Sequence, residues 1–192
     1  MANLTIIAGL GNPEDKYERT LHNAGFWFAD AVARKFGGEF RFDKKFDAEI
    51  AKTTIAGEEI WLVKPQSYMN LSGQPIRGML DYYRLKAKHL LVAHDEIDLS
   101  PGTVRLKMGG GHGGHNGLRD VIQHCGADFM RLRLGVGHPG QKDKVTGYVL
   151  KKGSADVEAA VERNIDDAIA VLPLLVEDGL NAAMKKLHTK DS

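Results

Sequence analysis

The sequence predicts an α/β protein, a single-domain three-layer sandwich in which a twisted mixed β-sheet is flanked by helices. Short runs rich in β-forming residues alternate along the chain with segments of helical periodicity, which is the order expected for such a sandwich. The length of 192 residues and the hydrophobic fraction of 43% suit one core of ordinary size. Neither a tandem repeat nor a Pro/Ser-rich linker divides the chain. We therefore expect one domain over residues 1–192, with C-terminal helices from about residue 154.

The first third of the chain predicts a strand, a helix and a hairpin. A β-rich run at residues 4–8 ends in a turn that contains two glycines and Pro13. We expect Asn23 to cap a helix that runs to about residue 36, where two glycines stop it. The segments 48–55 and 59–64 flank a short turn and predict a β-hairpin.

The remaining elements continue the alternation. They are, in order, a helix over 72–85, strands over 90–94 and 103–108, a Gly-rich loop over 109–114, a helix over 117–124, a strand over 130–137 and a helix over 154–178. The last helix contains Pro173, which predicts a kink there.

Composition excludes several classes of protein. The 26 Lys+Arg and 25 Asp+Glu give a formal net charge of +1, so any affinity for nucleic acid must come from local patches. The longest apolar run, residues 168–176, is far short of the roughly 20 residues that a membrane span needs. The first residues lack the features of a signal peptide. A single cysteine, Cys125, cannot form an internal disulfide, which fits a reducing cytoplasm as the expected location.

Polar clusters follow the predicted strands, at the sheet edge where α/β proteins bind ligands. They comprise Asn12, the segments 68–70, 94–96 and 112–116, and His22 just before the first long helix. A neutral His can take a proton from water, a carboxylate behind it fixes its tautomer, and Asn amides can donate to an oxyanion. This constellation suits hydrolysis by water, although a single loop Asn is more often a turn former.

Three other motifs give weaker hypotheses. Residues 9–14 begin like a dinucleotide-binding fingerprint, but Glu14 stands at the third glycine position and would repel a pyrophosphate. We therefore reject a dinucleotide-binding site. The Gly-rich loop matches the spacing of a phosphate cradle, or is simply a flexible surface loop. His112 and His115 with the segment 94–96 suggest a metal site, but HExxH and a cysteine cluster are lacking, and we expect no metal.

Basic residues recur two apart on two predicted strands. Arg105 and Lys107 share one face of the first strand, and Arg131 and Arg133 share one face of the second. If the strands are neighbours, these side chains form a cationic stripe that could hold a phosphate; the alternative is a solvated sheet face. Their place beside the polar clusters favours a substrate that carries phosphate.

In six sequence blocks the chain resembles the bacterial peptidyl-tRNA hydrolase family. The resemblance rests on GLGNP at 9–13 with Tyr17, HNAG at 22–25, PQSYMNLSG at 65–73, VAHDEID at 92–98, the glycine-rich segment 109–117 and RLRLGVGHPG at 131–140. These blocks occur in the family's order. The resemblance implies a monomeric cytosolic esterase that releases the peptide from peptidyl-tRNA, with no metal or organic cofactor.

The resemblance also implies roles for individual residues. His22 is the general base for the attacking water and Asp95 orients it. The remaining expected residues are Asn12 for catalysis, Tyr17, Tyr68, Met69, Asn70, His115 and Asn116 for substrate binding, and Lys107 and Arg133 for the terminal phosphate of the tRNA. The Gly-rich loop and the segment after residue 138 correspond to mobile elements around the cleft.

The chain departs from the family pattern at three positions. Glu14 stands where Gly is usual, Leu21 where Arg is common and Ser67 where Thr is frequent. None of them removes an expected catalytic group. Two rival functions stay open at this point: a hydrolase of a small amide or ester, with or without metal, and an RNA-binding module without catalysis.

Overall fold

In the computed structural model, which describes residues 3–189, seven strands form one mixed sheet in the order β2-β3-β4-β1-β5-β7-β6. The strands are β1 (Ile6–Gly9), β2 (Arg41–Asp43), β3 (Ala48–Ile55), β4 (Glu58–Pro65), β5 (Leu90–Glu96), β6 (Val104–Met108) and β7 (Met130–Gly135). The helices are α1 (Ala24–Phe36), α2 (Gly73–Tyr82), α3 (Asn116–Cys125), α4 (Val145–Val149), α5 (Ala155–Asp178) and α6 (Leu180–Thr189).

The centre of the sheet is parallel and its two margins are antiparallel. β1 pairs in parallel with β4 and β5, and β5 pairs in parallel with β7. β5 is buried along its whole length, which explains why its first four residues are an apolar run and do not alternate. The predicted hairpin is confirmed as β3 and β4, joined by Ala56 and Gly57 with positive φ angles of 51° and 81°.

Helices cover both faces of the sheet, which confirms the three-layer architecture. On one face Phe28 of α1, Leu172 of α5 and Leu187 of α6 belong to the larger apolar core. On the other face Ile76 of α2 and Leu118 of α3 belong to the second core. Alternate residues of the central strands supply both cores, as expected for a sheet enclosed on two sides.

Helix α1 lies unusually close to the end of β1. A Cβ atom on Gly9 would lie 2.1 Å from the carbonyl oxygen of Gly25, so a side chain at this position would collide with the helix backbone. Glycine therefore permits the close approach. The contact brings the turn before α1, which carries His22, against the carboxyl ends of β1 and β5.

Several predicted elements differ in detail from the structure. The expected cap of α1 is wrong in one respect: Asn23 precedes the helix, but its side chain makes no capping hydrogen bond, because it binds the backbone of Asn12 instead. Strand β2 and the short helix α4 were not predicted. The helix α5 continues through Pro173 to Asp178, and the kink stays a prediction.

The outer strand β6 is covered by the C-terminal helix. The backbone N–H of Leu106 donates to Nε2 of His188 on α6, at 3.0 Å. This bond satisfies a donor that the outer strand would otherwise present to solvent. Among the described helices none is long and apolar enough to cross a membrane.

Candidate active site

The nine residues that the sequence suggested for catalysis and substrate binding all line one cavity of about 450 Å³. They are Asn12, Tyr17, His22, Tyr68, Met69, Asn70, Asp95, His115 and Asn116. We call this space the His22 cavity. It lies beyond the carboxyl ends of the central strands, where α/β sheets usually bind ligands.

His22 and Asp95 form a buried hydrogen-bonded pair at the base of this cavity. Nδ1 of His22 lies 2.9 Å from Oδ2 and 3.0 Å from Oδ1 of Asp95. Because a carboxylate only accepts hydrogen bonds, Nδ1 carries the proton and Nε2 keeps its lone pair. Burial alone would lower the pKa of His22, but the charge and the hydrogen bond of Asp95 outweigh it and raise this pKa.

His115 holds the same carboxylate from the other side. Its Nε2 lies 2.8 Å from Oδ1 of Asp95, while its Nδ1 accepts the backbone N–H of Leu118 at 3.1 Å and so caps α3. Since Nδ1 accepts, Nε2 must be the protonated nitrogen. Burial would raise the pKa of Asp95, yet His22 and His115 together hold it well below its usual range. Asp95 is therefore an anion fixed by two N–H donors.

The backbone of Asn12 is held in place by Asn23. The Asn12 N–H donates to Oδ1 of Asn23 at 2.8 Å, and Nδ2 of Asn23 donates to the Asn12 carbonyl at 2.9 Å. Oδ1 of Asn12 in turn accepts the N–H of Met69 at 2.9 Å, which leaves the Nδ2 group of Asn12 as a donor. Sequence reasoning missed this role of Asn23, because an Asn before a helix is usually a cap.

The other predicted binding residues differ in exposure. Tyr68 is 60% exposed at the rim, and Asn70 and Asn116 are exposed beside it, whereas Met69 is buried. The cavity also has an apolar wall that was not predicted. It consists of Val145 and Val149 of α4, Leu150 directly after that helix, and Ile97 directly after β5. The sequence signal for this wall was weak, because α4 has only five residues.

Three of the four basic residues of the predicted stripe line a second, adjoining cavity of about 230 Å³, which we call the Lys107 cavity; Arg105 is not among its lining residues. The cavity is lined by Lys107, Arg131 and Arg133 together with His94, Glu96, Asp98, Gly111, Gly113 and Leu118. Strands β6 and β7 are neighbours, as the cationic stripe required, with Lys107 opposite Arg131 in the register. Glu96 and Gly113 line both cavities, so the two spaces share a wall. The Nε–H of Arg133 donates to Oε1 of Glu96 at 3.0 Å.

The three departures from the family pattern lie outside the linings of both cavities. Glu14 is exposed and pairs with Lys16 at 3.6 Å. Leu21 is buried, and its N–H donates to the carbonyl of Lys151. The hydroxyl of Ser67 donates to the carbonyl of Leu71 at 2.9 Å.

One group of side chains could geometrically hold a metal ion. Ligand atoms of His22, Asp95 and His115 lie within 4.8 Å of one another. A metal between them would have to displace the protons that both imidazoles donate to Asp95, and would require His115 to give up its cap on α3. The present hydrogen bonds and a metal site are therefore mutually exclusive. His112 does not belong to this group among the described residues; its Nδ1 accepts the N–H of Gly114.

A histidine oriented by a buried carboxylate, beside Asn donors at the strand ends of an α/β sheet, defines the class of the protein as a hydrolase. A sequence profile of the peptidyl-tRNA hydrolase family matches residues 6–192. The chain belongs to the peptidyl-tRNA hydrolase family, as its sequence motifs indicated.

Individual relatives agree over nearly the full length. Peptidyl-tRNA hydrolase of Stenotrophomonas maltophilia is 51% identical over 98% of this chain and 99% of its own. That of Xanthomonas euvesicatoria is 50% identical over 99% of both. A crystal structure of peptidyl-tRNA hydrolase from Acinetobacter baumannii superposes with a TM-score of 0.95 at 44% identity, covering 98% of this chain and 96% of that one.

Proposed function

We propose that this protein hydrolyses the ester bond between the peptide and the tRNA of peptidyl-tRNA, and so recycles tRNA released prematurely from ribosomes. The observation that carries the proposal is the His22–Asp95 pair, which lies in one cavity with all the expected substrate-binding residues. Membership of the peptidyl-tRNA hydrolase family supports the substrate and the reaction. We further propose that the protein acts as a monomer in the cytoplasm, without a metal or organic cofactor.

In the proposed reaction His22 is the general base. Its Nε2 takes a proton from a water molecule, whose oxygen attacks the carbonyl carbon of the ester. Asp95 stabilises the imidazolium that forms and keeps its ring in position. The C–O bond to the ribose then breaks, and the imidazolium returns the proton to the ribose oxygen. No covalent intermediate with the protein is needed.

Asn side chains provide the neutral donors. The Nδ2 group of Asn12 remains available because its Oδ1 is bound to the N–H of Met69. Such a donor stabilises the oxyanion without a further charge that would have to be desolvated. Asn70 and Asn116 at the rim carry both a donor and an acceptor, which suits the peptide amide that distinguishes this substrate from a free aminoacyl-tRNA. Tyr17, Tyr68 and Met69 line the remaining surface.

The adjoining Lys107 cavity suits the terminal phosphate of the tRNA. Lys107 and Arg133, to which the resemblance assigns this contact, both line the cavity. The tRNA thus has a local cationic contact, although the net charge of the chain is only +1. A small footprint of this kind makes binding depend on salt, because bound phosphates release counterions.

The decisive experiment compares an N-acylated aminoacyl-tRNA with its free-amine counterpart, in excess chelator, for the wild type and His22→Ala. We expect selective, chelator-resistant cleavage by the wild type and a loss of about 10²- to 10⁴-fold in the variant. His89→Ala is the matched control, since His89 lies in the turn before the start of β5, whereas both cavities are lined by residues at the end of that strand. Near-wild-type turnover by folded His22→Ala would contradict the assignment of the base.

The same experiment separates the rival functions. Cleavage abolished by the chelator, or indifferent to the tRNA, would indicate a metal-assisted hydrolase of small esters or amides. Binding of tRNA without turnover, unaffected at His22, would indicate an RNA-binding module.

A further inference from the structure

His94 is a buried polar residue that the proposed reaction does not use. It is only 2% exposed and lies near the end of β5, directly before Asp95. Its Nδ1–H donates to the carbonyl of Asp95 at 2.9 Å, and within residues 3–189 its Nε2 has no hydrogen-bond partner. A buried polar atom without a partner costs stability that an apolar side chain would not cost. The stability of the fold is therefore no reason for an imidazole here, and its contacts indicate another role.

The ring of His94 packs against the ring of His115. The two ring centroids lie 5.2 Å apart and the ring planes meet at 71°, which is an edge-to-face contact. His115 also contacts His22, with ring centroids 4.7 Å apart. His94 lines the Lys107 cavity, whereas His115 and His22 line the His22 cavity. His94 thus supports His115 from outside the cavity in which the reaction is proposed to occur.

Both contacts of His94 lead to Asp95. The Nδ1–H of His94 binds the backbone carbonyl of Asp95. His115, against which the ring packs, donates from Nε2 to Oδ1 of the same residue at 2.8 Å. The carboxylate fixed in this way is the one that accepts Nδ1–H of His22 at 2.9 Å. A change in the ring of His94 should therefore change how Asp95 faces His22.

The ring of His94 is uncharged at neutral pH. Burial, aided by the neighbouring His115, lowers the pKa of His94 to about 4. A cation at this place would attract the carboxylate of Asp95 and compete with His22 for its charge. The neutral ring instead holds His115 by packing, and leaves the charge of Asp95 to the imidazolium of His22.

We propose that His94 is a positioning residue of the hydrolytic reaction, whose ring holds His115 and, through it, the carboxylate of Asp95 against His22. The inference rests on the proposed function and deepens it, because it adds a residue that acts without lining the His22 cavity. A small displacement of the base slows the chemical step and leaves substrate binding unchanged. Loss of the ring should therefore lower kcat and not raise KM.

The first test measures kcat and KM of N-acylated aminoacyl-tRNA hydrolysis for wild type, His94→Asn and His94→Phe. Asn keeps a donor in the place of Nδ1 but removes the ring, and Phe keeps a ring but removes the donor. We expect kcat to fall about tenfold in His94→Asn and less in His94→Phe, with KM unchanged in both. His124→Asn is the matched control, because Nδ1 of His124 also donates to a backbone carbonyl, that of Asp120 at 2.9 Å, and His124 lines neither cavity.

The second test follows Asp95 in the free protein, without turnover. With ¹⁵N-labelled histidine, NMR observes the Nδ1–H of His22 and the Nε2–H of His115, which both bind this carboxylate. We expect both resonances to shift in His94→Asn, because their bonds to Asp95 change length, and to stay in place in His124→Asn. A merely structural role of His94 would change the free energy of unfolding and leave the two resonances where they are.

The outcomes are distinguishable. Wild-type kcat in His94→Asn, a change confined to KM, or a loss in His94→Phe as large as that in His94→Asn would overturn the proposal. If His94→Asn does not fold, His94→Gln removes the same ring contact with a side chain closer in volume, and it decides in its place. If the wild type does not cleave the tRNA, the proposed function fails, while the two resonances continue to test whether His94 positions Asp95.

Discussion

The two adjoining cavities differ in how their charges are compensated. In the His22 cavity the buried charge of Asp95 receives two N–H donors, and Asn12 is held at its backbone and its side chain. In the Lys107 cavity, within residues 3–189, the buried charge of Arg131 has no carboxylate partner, and Nε of Arg131 and Nε2 of His94 have no hydrogen-bond partner. Strand β5 contributes to both.

This contrast separates two tasks. Groups that act on a reacting bond must be fixed before the substrate arrives, because reorganisation during the reaction slows it. Groups that bind a charged part of the substrate gain more when their own charge is left uncompensated in the free protein. Because Glu96 and Gly113 line both cavities, the function proposed above would place both tasks side by side on one substrate.

The largest expected effect comes from removing the compensated charge with Asp95→Asn. Turnover should fall about 10²- to 10⁴-fold, because the tautomer and the imidazolium of His22 lose their support. Asp95 raises the pKa of His22, and the base acts only when neutral. Without Asp95 this pKa falls, so the acid limb of the kcat/KM profile should move to lower pH. Asp98→Asn, in the Lys107 cavity, should leave that limb in place; a shift in both variants would contradict this assignment.

A smaller effect, on stability, should come from the buried His94, whose Nδ1 donates to the carbonyl of Asp95. Burial, aided by His115, lowers the pKa of His94 to about 4, against a value of 6.5 for the unperturbed side chain. Between these values the unfolded chain binds a proton that the folded protein lacks. The free energy of unfolding should therefore fall by about 3 kcal/mol as pH drops through this window.

Urea unfolding at several pH values checks this expectation. His94→Gln should flatten the dependence of the unfolding free energy between pH 6.5 and 4, because the titrating group is gone. An unchanged slope in the variant would show that other groups dominate the acid sensitivity.

Next in size is the effect of Asn23→Ala on the His22 cavity. The variant leaves the buried N–H and carbonyl of Asn12 without partners, which should cost about 2 kcal/mol of unfolding free energy. It should also lower kcat, since Asn12 is no longer held. Asn164→Ala is the control: Asn164 is equally buried, but its Nδ2 has no partner to lose. Equal effects of the two substitutions on kcat would argue against a positioning role for Asn23.

The smallest effect should come from Lys107→Ala, because its charge is exposed and screened by solvent. We expect a rise in KM of about threefold for tRNA with a 5′-phosphate, and a weaker salt dependence. Substrate without the phosphate should be unaffected. A rise of the same size for both substrates would place Lys107 outside the phosphate contact.

The central part of the fold could be predicted because the local signals agree with the tertiary structure. β5 is a wholly buried strand that begins with an apolar run, and α1 has both an apolar face and a glycine stop. β2 has only three residues, mostly exposed, and depends on pairing with β3. The five-residue α4, which lines the His22 cavity, likewise depends on tertiary contacts, since short helices are unstable alone.

The residues of the site could also be predicted from the sequence, whereas several of their hydrogen bonds could not. The polar clusters after the strands, with His22 just before the first long helix, predicted that His22, Asp95 and the Asn residues lie together, and the family resemblance suggested their roles. The hydrogen bonds of Asn23 were not predictable, because the same residue before a helix would ordinarily cap it. Nor does the spacing of Arg131 and Arg133 on one strand reveal that only Arg133 finds a carboxylate.

The bond between Leu106 and His188 has a consequence for how copies of the protein behave at high concentration. β6 is the outermost strand on the side that carries Lys107, and a bare outer strand is a template for a strand of another molecule. With the Leu106 N–H occupied by α6, that template is interrupted in the middle of a five-residue strand. The C-terminal helix thus protects this edge of the sheet from pairing with a strand of another molecule.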